Sequence, residues 1–105
     1  MWQSFKDMII YNVTVNIAPQ IQDEWLLWMK EVHIPEVVGT GYFLSHDFFK
    51  IINTEDVSTY CIQYKCETIE NYKKYQIEFA PLLQKKHTDK YKDQFVAFRT
   101  LLQKI

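Results

Sequence analysis

The side chains with a capacity for chemistry are few: three histidines (His33, His46, His87), two cysteines and a single arginine, Arg99. No two histidines stand three or four apart and no Cys-x2-Cys occurs, so nothing has the ligand spacing of a zinc site. His33 falls at the end of an aromatic helical segment, beside Pro35. There an imidazole can serve as general base or ligand contact, or simply cap the helix, with the helix dipole favouring its charged form. His46 lies on a predicted strand with Tyr42, Leu44 and Phe48 on the same side and with Tyr60 or Tyr64 within reach across a hairpin. That cluster suits either a ligand pocket or a hydrogen-bond network at a dimer interface. The candidate catalytic residues are therefore His33 and His46. The candidate ligand-binding residues are Trp25, Trp28, Tyr60, Tyr64 and Arg99. Trp25 and Trp28, three apart on one helix face, are either core or the wall of a site. Arg99 stands in an otherwise apolar strand and needs a partner if buried, with Asp47 and Glu67 as candidates.

The elements that must position these residues follow from periodicity. Met8–Val15 alternates as strand one, with Ile9, Tyr11, Val13 and Val15 on one face. Pro19 suits a first helical turn, and Ile21, Trp25, Trp28 and Val32 recur at helical spacing to about Val38, with Gly39 as a C′ stop. Strand two is expected from Tyr42 to Ile52 and strand three from Val57 to Cys66, joined by the polar turn Asn53-Thr54-Glu55-Asp56. Thr68 caps a second helix carrying Tyr72, Tyr75 and Phe79, which Pro81 should interrupt before the pattern resumes through Leu82, Leu83 and Tyr91. Strand four is expected from Phe95 to Leu102.

Trp25-x2-Trp28-x4-His33-x-Pro35 is answered 47 residues later by Tyr72-x2-Tyr75-x3-Phe79-x-Pro81. The chain thus looks like two strand-helix-strand units in one α+β fold, a ferredoxin-like β-α-β-β-α-β domain with a four-stranded antiparallel sheet. Its boundaries are 8–105, with 1–7 as an N-terminal extension. Apolar residues occupy both faces of two strands: Phe43, Phe49 and Ile51 against Tyr42, Leu44, Phe48 and Ile52, and Phe95, Ala97 and Leu101 against Val96, Phe98 and Leu102. Helices cover only one face of such a sheet, so the second face calls for a second copy of the chain.

Composition narrows the function classes. A net charge of −1 gives no basic footprint for nucleic acid, and the third strand, Val57-Ser58-Thr59-Tyr60-Cys61-Ile62-Gln63-Tyr64, lacks the glycines and basic residue of an RNA-recognition domain. Residues 1–56 carry three Lys and eight Asp/Glu, and residues 57–105 nine Lys/Arg and five Asp/Glu, an acidic first helix beside a basic second one. Cys61 and Cys66, five apart in one strand, face opposite sides roughly 16 Å apart and cannot bridge each other. Two unbridged cysteines, no signal peptide and no long apolar run point to a cytoplasmic protein that is not in a membrane.

The segments Met8-Ile9-Ile10-Tyr11-Asn12-Val13-Thr14-Val15, Trp25-Leu26-Leu27-Trp28-Met29-Lys30-Glu31-Val32-His33-Ile34-Pro35-Glu36 and Phe95-Val96-Ala97-Phe98-Arg99-Thr100-Leu101-Leu102 together resemble a family of small bacterial proteins of unknown function in the dimeric α+β barrel group. The resemblance covers the chain from Met8 onward. It implies two ferredoxin-like subunits that pack their sheets into a barrel. That group holds cofactor-free monooxygenases, haem-degrading enzymes, lactone isomerases and members without known chemistry. The haem-degrading relatives place an Asn, a Trp and a His around the porphyrin; Asn12 matches the first, but no Trp stands on the second helix. No cofactor is expected. Two functions remain open: a homodimeric non-catalytic or ligand-binding module, with a small apolar molecule as its ligand, and a cofactor-independent monooxygenase or isomerase acting on a small apolar or aromatic molecule.

Overall fold

Alternation and β-branching build strand β1 (Ile9–Ile17): Ile9, Tyr11, Val15 and Ile17 are buried on one face, and Ile10 and Asn16 are half-buried on the other. It is a central strand of a four-stranded antiparallel sheet ordered β2 (Ser45–Lys50), β3 (Thr59–Cys66), β1, β4 (Phe95–Gln103). The computed structural model describes residues 8–52, 55 and 58–105. The extension at 1–7 and all but Glu55 of the turn at 53–56 lie outside them.

The first helical arm is one expected helix resolved into four pieces: a 3₁₀ turn (Pro19–Ile21), helix α1 (Gln22–Trp28), a π-helical turn (Met29–His33) and helix α2 (Ile34–Val38). Pro35 accounts for the π turn. It has no N–H to give the carbonyl of Glu31, and its ring crowds that carbonyl. The ladder widens instead, and the Ile34 N–H reaches back five residues to the Met29 carbonyl. The stop falls after Val38 as expected, but with a different backbone. Gly39 keeps a right-handed φ of −64° and donates to the Pro35 carbonyl at 2.8 Å, whereas the left-handed residue is Gly41, at φ 88°.

The second arm opens at Thr68, whose hydroxyl accepts from the Asn71 N–H at 3.2 Å. Helix α3 (Ile69–Glu78) breaks at Phe79, φ −128°, and α4 (Ala80–Lys90) restarts with Pro81 in its first turn, where a missing N–H costs nothing. In α4, Ala80, Leu83 and His87, continued by Tyr91, form the buried stripe. The two arms tie together at the surface through Lys86 Nζ and Glu36 Oε2, 2.9 Å apart.

Both arms cover one face of the sheet, where Trp25 packs on Tyr60 and Phe48, and Tyr75 on Tyr11 and Phe43. This corrects the expected faces of strand two. Counting from Tyr42 sets Phe43 and Phe48 on opposite faces, whereas both pack on the core side, because the strand starts only at Ser45. The chain bends at Leu44, and that bend breaks the parity assumed from Tyr42 onward. On the outer face, register aligns Phe49, Cys61, Thr14 and Phe98 in one row and Asp47, Gln63, Asn12 and Thr100 in the next. Phe49, Val96, Phe98 and Leu102 there are exposed. Cys66 is in the core and Cys61 on the outer face, both free.

Candidate functional site

The two layers do not close completely. Between helices and sheet remains a cavity of about 40 Å³, floored by Tyr11, Val13, Ile62 and Tyr64 and bounded on β4 by Phe95, Ala97 and Arg99. Met29, His33 and Val37 form its wall from the first arm, and Tyr75, Leu83, Gln84 and His87 its wall from the second. In a regular helix, residues four apart drift by roughly 40° around the axis. The wider π turn rotates less per residue, and Met29 and His33 both line the cavity.

His33 stacks on Trp28 with ring centres 5.1 Å apart and stands edge-on to His87 at 5.6 Å. Its Nδ1 is buried without a hydrogen-bond partner. Burial drives its pKa down to about 4; Glu36 opposes this, while Arg99 and Lys86 add to it. His87 Nε2 accepts a hydrogen bond from Trp25 Nε1 at 2.9 Å, which puts the proton of the neutral ring on Nδ1. The ring packs perpendicular to Phe95 at 4.4 Å. Burial, then His33 and then Arg99 lower its pKa to about 4 as well. Both imidazoles are neutral at pH 7.

Arg99 Nε donates to the Tyr11 hydroxyl at 3.2 Å. Burial pushes the Tyr11 phenol up and Arg99 partly offsets this; the Tyr64 and Tyr75 phenols are raised chiefly by burial. All three stay protonated and can donate. Among the described residues that line the cavity Arg99 is the one charged group, with no carboxylate beside it. Neither Asp47 nor Glu67 is its hydrogen-bond partner; Asp47 is on the edge strand β2 and on the outer face.

The residues singled out from sequence divide three ways. His33, Tyr64 and Arg99 line the cavity. Trp25 and Trp28 stand behind it, the first holding His87 and the second stacked on His33. Tyr60 and His46 are elsewhere. Tyr60 lies in an open groove of about 410 Å³ with Phe48, Leu26, Lys30 and Lys50, its hydroxyl donating to Gln22 Oε1 at 2.5 Å. His46 is exposed on β2, opposite Tyr64 in register. His87, Tyr11 and Tyr75 were not singled out. For His87 a signal existed: Ala80, Leu83, His87 and Tyr91 recur at three- and four-residue intervals amid polar neighbours, the mark of a buried helix face.

Among the described residues no group of His, Cys, Asp and Glu could hold a metal ion, and no helix is long and apolar enough to cross a membrane. The model of a family described as Domain of unknown function (DUF4286) matches residues 8–105. No curated protein matches the chain. Solved structures do match it. A protein from Nitrosomonas europaea provisionally named an antibiotic biosynthesis monooxygenase superposes with a TM-score of 0.73 at 8% identity, covering 100% of this chain and 96% of that one. SnoaB, a cofactor-independent oxygenase from Streptomyces nogalater, gives 0.65 at 9% identity over 94% of both chains. A dimeric ferredoxin-like protein from an uncultured marine organism gives 0.59 at 11% identity, over 93% of this chain and 94% of that one. At such identities the likeness is one of fold, the ferredoxin-like unit of the dimeric α+β barrels.

Proposed function

Because the chain belongs to the family of the Domain of unknown function (DUF4286), its role has to be argued from its own cavity, and we propose that it is a homodimeric ligand-binding module without turnover. The observation that carries this is the volume of about 40 Å³. Sites for drug-sized molecules run to roughly 300–1,000 Å³, so an aromatic substrate does not fit between these layers. The open groove is large enough, yet no histidine lines it. The pKa values point the same way. A general base works best with a pKa near the operating pH, and His33 and His87 at about 4 are some three units too weak. His46, exposed on the edge strand, has no enclosed site to serve.

The dimer is supported by the outer sheet face. Covering Phe49, Val96, Phe98 and Leu102 contributes roughly 1.5–3 kcal/mol for each large apolar side chain. Asn12 Oδ1, buried on that face without a partner, would gain a donor from the second copy. Two free cysteines suit a reducing compartment, the cytoplasm.

One observation favours the alternative, a cofactor-independent oxygenase or isomerase: two neutral imidazoles and Tyr11 line one cavity. A single experiment separates the two. Purified protein is incubated in air with a panel of hydroxylated aromatic and small lactone compounds, while oxygen uptake and product formation are followed. The module reading expects no turnover beyond the buffer rate. Turnover that is lost in His33→Ala would establish the enzyme instead.

A further inference from the structure

Arg99, an exposed residue of β4, brings one fixed positive charge to the cavity lining, and no carboxylate stands among the described residues that line it. Arg99 is the one charged residue among the described residues of its lining, and it acts electrostatically on Tyr11, His33, Tyr75 and His87. The carboxylate nearest His33 in effect is Glu36, already committed to Lys86 at 2.9 Å. Around the guanidinium stand groups that can donate hydrogen bonds. The Tyr11 hydroxyl accepts from Arg99 Nε and so keeps its own proton to give. Tyr75 and Tyr64 are held in the phenol form, and His33 Nδ1 is buried with no partner. A guanidinium flanked by phenols, within a partly apolar wall, is the chemistry that recognises a small oxyanion. Size restricts it further. A water needs roughly 10–15 Å³ of such space, so about 40 Å³ accommodates three or four heavy atoms.

We infer that the cavity between helices and sheet binds a small carboxylate or carbonate-type monoanion, of the size of formate or bicarbonate, on Arg99, Tyr11 and His33. This rests on the reading of the cavity as a ligand site and replaces the apolar ligand expected from sequence with a charged one. Arg99 supplies the counter-charge, Tyr11 a hydroxyl donor held in place by Arg99, and His33, in the tautomer with the proton on Nδ1, an N–H donor to an oxygen of the anion.

The test is a titration of the full-length protein at pH 7 with sodium formate, against sodium chloride at matched ionic strength, following the imidazole carbon-bound proton signals by NMR. The expected result is a saturable shift at His33 and His87 with formate, absent with chloride. Exposed His46 remains still as the internal reference. Arg99→Gln should weaken binding at least tenfold, and Tyr11→Phe, which removes one oxygen only, several-fold. Should Arg99→Gln fail to fold, Tyr11→Phe decides alone. Shifts that never saturate, that chloride reproduces, or that both variants retain unchanged would overturn the inference. Such a failure leaves the module reading standing, since that is judged by turnover and by the sedimenting species.

Discussion

Acid should unfold this protein through two histidines, His87, which is buried, and His33, which is half-buried. Burial holds His33 and His87 at about 4, against 6.5 for a free imidazole. Between pH 6.5 and 4 the unfolded chain therefore binds protons that the folded chain refuses. Stability is complete above pH 6.5, falls as the pH drops through this window, and changes no further from these groups below about 4. A difference of about 2.5 units corresponds to about 3 kcal/mol for each ring, or about 6 for the pair. Domains of this size have roughly 5–15 kcal/mol in all, so the two rings alone remove a large part of it. The assay is urea denaturation followed by tryptophan fluorescence, at half-unit steps from pH 7.5 to 4. His87→Gln serves as control because its side-chain oxygen can still accept from Trp25 Nε1. Exposed carboxylates titrate alike in both proteins and cancel in the difference. The wild type should lose about 3 kcal/mol more than the variant between pH 6.5 and 4. Equal losses, or NMR titration midpoints near 6.5 for either ring, would refute the reasoning.

Trp25→Phe keeps most of the packing but strands His87 Nε2, so it should cost roughly 1–3 kcal/mol and let the His87 pKa rise, visible by NMR titration. Phe98→Asp on the outer face should turn a sedimenting dimer into a folded monomer, whereas Phe48→Asp, set against Trp25 and Tyr60, should destabilise the subunit itself; a wild-type chain that sediments as a monomer at micromolar concentration would remove the interface. Gly39→Ala brings a Cβ to 2.9 Å from the Pro35 carbonyl and should cost roughly 1–3 kcal/mol by overpacking, as read from the shift in the urea midpoint. Thiol titration should find two thiols per denatured chain, with Cys66, buried and its pKa raised by that burial, unreactive in the native state.

The parts of this structure that could be read from the chain are those whose causes are local. Alternation sufficed for β1 and β4, the Thr68 hydroxyl for the start of α3, and Pro81 for the interruption before α4, whereas the break at Pro35 was not expected. Errors arose where a local rule was carried across an unseen bend. Parity counted from Tyr42 put Phe43 and Phe48 on opposite faces, whereas both pack on the core side because the strand starts after Leu44. Gly39 was chosen as the stop by its distance from the last apolar residue, yet of the two glycines it is Gly41 that has the positive φ. The cavity was half legible. His33, Tyr64 and Arg99 stood out one at a time as polar groups in apolar settings, but His87 matters through Trp25 and His33, residues more than fifty positions away. Such a meeting depends on how two helical arms lie across one sheet, which no spacing within either arm reveals.

The π turn also sets the phase of the first arm. Its buried residues run Trp25, Met29, Ile34, Val37, at intervals of four, five and three. Without one of the exposed residues Lys30 or Glu31, the same four would follow at four, four and three, the stripe of an unbroken α-helix. The shorter chain would then present Ile34, not His33, one regular turn beyond Met29. The turn thus acts as a one-residue insertion that the helix absorbs without losing its core contacts. It slips an imidazole into a lining position that an uninterrupted helix would have filled with a hydrocarbon.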